Sequence, residues 1–362
     1  MINDQIIEQT LKQVSARMMT LKNHTMKEQF PVSLIDIECW EWPQGVGLYG
    51  LYKYYTLSQD EAILQFLLDW FDSNISNGIH EKNVNTTAPM LTLTYLYEMT
   101  KKPSYLALIE EWTAWIMDDK QLIRTGDDCF QHMITGNPND GEILIDTIFM
   151  TLLFLARAGN ILNRPDCLEE VNYQIMNHIK YLYDKQAGLF YHGYNFNHNH
   201  NYGAVHWCRG NSWYTVGIME FLAEHEVDPA LRRYYLSVYK AQTAALKAHA
   251  DPETGLWHTV VDDPSSYIEI SGSAAFLCGI MQGVKLGILE RKEYQNLIDR
   301  ALTHLLDYID PDGTVRNVSY GTPIGDSAEF YKEIPCHPMT YGQALVILNL
   351  QEALVRSRRL VG

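Results

Sequence analysis

Two short segments of this sequence carry residue types that could do chemistry. The first centres on Asp146. It heads an apolar run, Ile145 to Gly159 (IDTIFMTLLFLARAG), and its neighbours are Leu144, Ile145, Ile148 and Phe149. An Asp at a helix start is most often an N-cap that accepts from the first amides. A cap is normally exposed, however. A carboxyl among apolar side chains is expected to hold its proton more tightly, as a general acid near neutral pH must. The second segment is His206 to Trp213 (HWCRGNSW). Arg209 has the fork that grips a carboxylate, and Trp207 and Trp213 offer faces for a pyranose ring. The plainer reading of these residues makes Trp213 core and pairs Arg209 with an internal carboxylate.

The remaining polar groups are less pointed. His192 follows Gly188-Leu189-Phe190-Tyr191, and His258 follows Gly255-Leu256-Trp257. Neither stands at ligand spacing to a second His on a helix. Asn197-His198-Asn199-His200-Asn201 alternates His within a polar loop and is expected on the surface. Asp127-Asp128 with His132 forms another polar cluster, also expected to be solvated. There is no credible zinc spacing, phosphate-binding loop, dinucleotide fingerprint or nucleophile elbow. No metal and no organic cofactor are therefore expected.

The elements that must position these groups read as helices of two kinds. Six are amphipathic, at roughly 4–22, 59–76, 103–118, 164–183, 228–249 and 291–309. Ser58 and Glu61 form a capping-box signature at the start of the second. Six are apolar nearly all round, at roughly 42–56, 88–99, 145–158, 209–223, 271–287 and 339–355, and such helices must be buried on every side. The two kinds alternate strictly. This predicts an all-α fold, an (α/α)6 barrel of six inner and six outer helices, with residues 1–362 as a single catalytic domain. Asp184-Lys185-Gln186-Ala187-Gly188-Leu189-Phe190 recurs as Asp251-Pro252-Glu253-Thr254-Gly255-Leu256-Trp257, each after an outer helix, as a repeat architecture requires. The runner-up is an open solenoid, whose repeats are usually shorter.

Inner-to-outer connections are short and outer-to-inner connections are long. Long loops in a compact domain are usually functional. All of them deliver the chain to the N-terminal end of an inner helix, where free N–H groups suit an anionic or polyhydroxylated ligand. Trp42 and Thr87 open the first two inner helices and join the candidate binding residues on that face.

Composition narrows the partners. The chain has 362 residues, 28 Lys+Arg against 44 Asp+Glu, and a formal net charge of -16. That balance argues against nucleic acid and against an anionic membrane surface. No stretch is long and apolar enough to span a bilayer, and MINDQIIEQTLKQVSARMM lacks the pattern of a secretory signal. The six cysteines are scattered, which favours reduced thiols. A cytoplasmic location is expected.

Taken in order along the chain, the motifs form a familiar set. WPQGVGLYG (Trp42 to Gly50), NVNTTAPML (Asn83 to Leu91), IDTIFMTLLFLARAG (Ile145 to Gly159), GLFYHG (Gly188 to Gly193), WCRGNSW (Trp207 to Trp213) and SGSA (Ser271 to Ala274) are quoted from it. Together the sequence resembles glycoside hydrolase family 105, the unsaturated rhamnogalacturonyl hydrolases, relatives of the family 88 unsaturated glucuronyl hydrolases. The resemblance implies the same (α/α)6 fold and Asp146 as the catalytic acid. It implies that His192, Trp207, Arg209 and Trp213 line the subsite for an unsaturated sugar. The substrate would be a small oligosaccharide, an unsaturated uronyl disaccharide left by a polysaccharide lyase. Two departures are visible. Asn85-Thr86-Thr87 has no acid where family 88 relatives have a second Asp, so no auxiliary carboxylate is assigned. Leu144 stands where family members often have an aromatic residue.

Three other readings compete. A sugar epimerase on the same barrel would need paired histidines, such as His192, His258 and His337. An inverting glycosidase would need a partner for Asp146, such as Glu41 or Asp128. A non-catalytic sugar sensor would keep the barrel and its aromatic subsites.

Overall fold

The computed structural model describes residues 3–23, 35–79 and 81–361. Within them the helices are α1 (Asp4–Met18), α2 (Trp42–Ser58), α3 (Glu61–Asn77), α4 (Ala88–Thr100), α5 (Pro103–Met117), α6 (Leu153–Leu162), α7 (Pro165–Leu182), α8 (Cys208–Glu224), α9 (Pro229–His249), α10 (Ile270–Lys285), α11 (Arg291–Leu305), α12 (Ala328–Lys332) and α13 (Thr340–Val361). Apart from the short α12, these are the six amphipathic and six apolar segments of the sequence.

The apolar helices touch in the order α2, α4, α6, α8, α10, α13 and back to α2, which closes a ring. The amphipathic helices lie outside it: α3 on α2, α5 on α4 and α6, α7 on α6, α9 on α8, α11 on α10, and α1 on α13. The architecture is the (α/α)6 barrel, with one connected apolar cluster running through it. A helix in the inner ring has neighbours on all sides. Hence α8 buries every residue from Cys208 to Leu222, polar ones included, and each polar group there needs an internal partner. Glycines let the inner helices close in. A Cβ at Gly45 would strike the backbone of Ala88 and Pro89, and one at Gly50 would strike Ala344.

Connections at one end of the ring are short (59–60, 101–102, 163–164, 225–228 and 286–290). At the other end they are long (78–87, 118–147, 183–207, 250–269 and 306–339). The repeated loop is real. Gly188 and Gly255 both have φ +74°, and their N–H groups donate to Asp184 O and Asp251 O at 2.8 Å. Each Asp carboxylate then accepts from the amides that follow it.

Two local expectations need correction. Asp60, not Ser58, caps α3: its carboxylate accepts from the Ala62 N–H at 3.0 Å, and Ser58 Oγ accepts from the Asp60 N–H. A carboxylate directly before the helix is the stronger acceptor. The apolar run from Ile145 does not enter directly as α-helix. It passes through a π turn, Ile148–Leu152, before α6. The Asp146 carbonyl accepts from both Phe149 and Met150 N–H at 3.0 Å. Such a turn inserts a residue and re-aims the side chains beside it. Among the described residues, no helix is long and apolar enough to cross a membrane.

Candidate active site

A cavity of about 390 Å³ opens where the N-termini of the inner helices converge. The long loops supply its walls. Trp42, the first residue of α2, and Asn85, just before α4, stand on one side. The 118–147 loop contributes His132, Ile134, Asn137 and Asn139, then Glu142 and Leu144 from a short strand, then Asp146. That strand, Glu142–Leu144, pairs antiparallel with Gly193–Asn195. Tyr202, Trp207 and Arg209 come from the next loop and the start of α8. Gly321 to Ile324 complete the rim.

Asp146 is held from behind. Its Oδ1 accepts the indole N–H of Trp213 at 3.0 Å, and Oδ2 lies 3.5 Å from Nε2 of His192. Nδ1 of His192 is 2.9 Å from the Tyr331 hydroxyl, whose oxygen accepts the Gly325 N–H at 3.0 Å. With Tyr331 donating to Nδ1, the imidazole proton sits on Nε2 and faces Asp146. The carboxylate does not cap its helix. Burial works to raise the Asp146 pKa, but the hydrogen bond from His192 and the charge of Arg209 outweigh it and hold the group below the usual carboxylate range. This reverses the expectation drawn from its apolar neighbours, because those neighbours in sequence are not the groups that face the carboxylate. His132 lies on the cavity wall with Nδ1 2.9 Å from Thr147 Oγ1, and burial lowers its pKa to about 4, so it is neutral.

Arg209 is fully buried yet reaches the cavity. Nη1 donates to Ser319 O at 2.8 Å and to Ser319 Oγ, and Nη2 donates to Tyr320 O at 3.0 Å and Thr322 Oγ1 at 3.2 Å. Glu269, also fully buried, lies 3.6 Å from Nη1. The plainer reading of Arg209 is thus half realised: it has an internal carboxylate partner and still faces the cavity. The guanidinium packs against Trp207 and Tyr341 at 4.4 and 4.6 Å. Tyr341 stacks on Trp42 at 4.6 Å, and Trp207 meets His192 at 4.3 Å. One continuous stack therefore runs from Trp42 through Tyr341, Arg209 and Trp207 to His192, which touches Asp146.

Of the residues singled out from sequence, Trp42, Asp146, Trp207 and Arg209 share the cavity wall. Three do not. Trp213 has no exposed surface; its ring packs on Phe149 at 5.1 Å, so no face is open to a sugar. His192 is buried behind Asp146. Thr87 is buried off the wall, with Oγ1 donating to Asn83 O at 2.7 Å. The sequence signal could not say which side of an all-apolar helix faces the opening. His258 and His337 are not on the wall, whereas His132 is, and His192 contacts Asp146. Glu41 and Asp128 are not on it either. Glu41 caps α2 and accepts from Thr135, and burial raises its pKa to about 7. His132, Asn137, Asn139, Glu142, Tyr202 and Thr322 were missed as wall residues, since they come from loops without periodic pattern. Among the described residues, no three His, Cys, Asp or Glu side chains gather as a metal ion would need.

The profile of Glycosyl Hydrolase Family 88 matches residues 10–357. The chain belongs to that family. This makes the protein a glycosidase. It is similar to a solved structure from Salmonella enterica serovar Paratyphi A described as a possible member of the GH105 family. The two are 38% identical, the match covers 98% of this chain and 95% of that one, and the TM-score is 0.92. It is also similar to the unsaturated rhamnogalacturonyl hydrolase YesR of Bacillus subtilis, 29% identical over 328 residues, 89% of this chain and 91% of that protein. An unsaturated 3S-rhamnoglycuronyl hydrolase of Formosa agariphila is 24% identical over 292 residues, 76% of this chain and 75% of that protein.

Proposed function

We propose that this family 88 glycosidase removes a 4,5-unsaturated uronic acid from the non-reducing end of a lyase-generated disaccharide, with rhamnose as the neighbouring sugar. The observation that carries the reading is Asp146, a carboxylate on the wall of the cavity that shares that wall with Arg209. The similarity to an unsaturated rhamnogalacturonyl hydrolase supports the choice of sugars.

The unsaturated ring contains a vinyl ether. Asp146 gives a proton to carbon 4, and the resulting oxocarbenium ion is centred on carbon 5. The Asp146 carboxylate then takes a proton from the water that adds to carbon 5. The hemiketal opens and expels the neighbouring sugar. One carboxyl serves as acid and then as base, whereas an ordinary glycosidase needs two at a defined separation.

Asp146 must gain a proton before it can give one, and the surrounding groups keep it ionised in the free protein. Substrate supplies the correction. A uronate beside Arg209 offsets one of the positive groups that lower the Asp146 pKa and adds a negative charge of its own. Both effects favour protonated Asp146. His192 and Trp213 fix the carboxyl in place while its proton comes and goes.

The test follows the absorbance of the conjugated uronate as the protein acts on unsaturated galacturonyl-rhamnose. Loss of the chromophore is expected, with a drop of ~10³-fold or more in Asp146→Asn, because general acid–base catalysis is removed. Asp146→Asn should keep the wild-type melting temperature within a few degrees. A chromophore that persists across a panel of unsaturated disaccharides would overturn the reading. An epimerase would return an isomer with its chromophore intact.

A further inference from the structure

Beyond Asp146, the cavity wall has its own character. Asp146 follows the short strand Glu142–Leu144, and Glu142 at the strand's start lines the same cavity. Four residues separate the two along the chain, so at ~3.3 Å each their Cα atoms lie within roughly 13 Å of one another. A disaccharide whose first ring is protonated by Asp146 is long enough for its second ring to reach Glu142 on the same wall. The wall there is a single braced unit. Glu142 N–H donates to Asn139 O at 3.0 Å, and His132 N–H donates to Glu142 O at 2.8 Å. Asn139 Nδ2 donates to His132 O at 2.8 Å. The Tyr202 hydroxyl donates to Glu142 Oε1 and accepts from Asn195 Nδ2 at 3.1 Å. Leu144 occupies the place between Glu142 and Asp146 and offers no flat face for a ring.

The charges on the cavity wall are few. Among the described residues that line it, Arg209 is the one permanent cation, and Asp146 and Glu142 are the carboxylates. Arg209 is engaged once the unsaturated uronate is bound. Among the described residues no second cation is left on the wall for another anionic group, and such a group on the second sugar would face the Glu142 carboxylate.

Resting on the hydrolase reading above, we propose that Glu142, clamped by Tyr202, is the specificity determinant of the second subsite. It accepts hydrogen bonds from the hydroxyls of an uncharged sugar and rejects a second sugar that carries sulfate or carboxylate. A carboxylate is an acceptor only, so sugar hydroxyls satisfy it and an anion cannot. Two like charges about 5 Å apart in a partly solvated cleft disfavour binding by roughly tenfold or more. The family relatives make the distinction meaningful, since the two named above differ in the sugars they are named for.

The experiment uses two unsaturated uronyl-rhamnose disaccharides that differ by a single sulfate ester on the rhamnose. The wild-type protein is expected to show a kcat/KM at least tenfold higher for the unsulfated one. Glu142→Gln should shrink that ratio to within about threefold, while Glu142→Asp, which keeps the charge, should retain it. Equal rates on the two disaccharides, or an unchanged ratio in Glu142→Gln, would overturn the proposal. If neither disaccharide is turned over, the hydrolase reading fails. The charge proposal is then decided by equilibrium binding of the same pair to wild type and Glu142→Gln. Equal affinities for the two disaccharides in the wild type would refute it, and a preference lost in Glu142→Gln would uphold it.

Discussion

Replacing Trp213 by Phe isolates one hydrogen bond at the catalytic carboxyl. The ring stays in its fully buried place beside Phe149, and what is removed is the Nε1–H that Asp146 Oδ1 accepts at 3.0 Å. A hydrogen bond to a charged group is worth ~1.5–3 kcal/mol. It stabilises the ionised form, so its loss destabilises the anion and favours the acid. At about 1.36 kcal/mol per tenfold in proton affinity, Asp146 should bind its proton roughly ten- to hundredfold more tightly. If protonated Asp146 is the working acid, the alkaline limb of the kcat/KM profile should move to a proton concentration lower by that factor. The assay is chromophore loss on unsaturated galacturonyl-rhamnose across pH, with circular dichroism to check the fold. The lost volume should also lower stability by about 1–3 kcal/mol. An alkaline limb that coincides with the wild type's, at whatever plateau, would refute the reasoning. It would mean that the titrating group is not the carboxyl that Trp213 touches.

Two further outcomes follow from the same electrostatics. Substrate offsets Arg209 and so should raise the proton affinity of Asp146; the alkaline limb of kcat should therefore lie at higher pH than that of kcat/KM, and coincident limbs would rule this out. The buried, neutral His132, His178 and His225 each have a pKa lowered to about 4, chiefly by burial. An unfolded chain binds protons on these groups below about pH 6.5, and the folded one does not until about pH 4. Stability should therefore fall as pH drops through that window, by about 2 kcal/mol per histidine at pH 5. Melting temperatures at pH 7 and pH 5 test this, and His178→Gln should shrink the difference by about a third, since His132 and His225 remain.

The fold was legible because burial on all sides and burial on one side leave different periodicities. IDTIFMTLLFLARAG has no polar stripe and belongs to the inner ring, whereas the stretch from Leu231 to Tyr235 does and belongs outside. Family motifs pointed to Asp146 and Arg209. The environment of Asp146 was not legible. His192 and Trp213 are distant in sequence and meet the carboxyl only when the ring is closed, so the direction of its pKa could not be read from Leu144 and Ile148. Trp213 was misjudged for a related reason. A tryptophan on an all-apolar helix gives no hint whether its face or its N–H looks toward the opening. Glu142 and Tyr202 come from loops whose pairing, Glu142–Leu144 with Gly193–Asn195, has no local signature. The π turn before α6 left no trace in hydrophobic spacing either.

The order in which the ring is completed has a consequence for a chain still being made. Arg209 is gripped by the carbonyls of Ser319 and Tyr320, flanked by Tyr341, and His192 is fixed by Tyr331. All of these are contributed after α11, and α13 must dock on both α2 and α10 to close the barrel. While that segment is still inside the ribosome, α2 and α10 have an unfilled gap between them and expose apolar surface. Closure then joins residues at nearly opposite ends of the chain, which makes it a slow, non-local step. Until it occurs, the nascent protein has its Asp146 but neither its anchored arginine nor its fixed imidazole. Catalytic competence should therefore arrive late and all at once, when α13 docks, and the unclosed ring is the form that chaperones would hold.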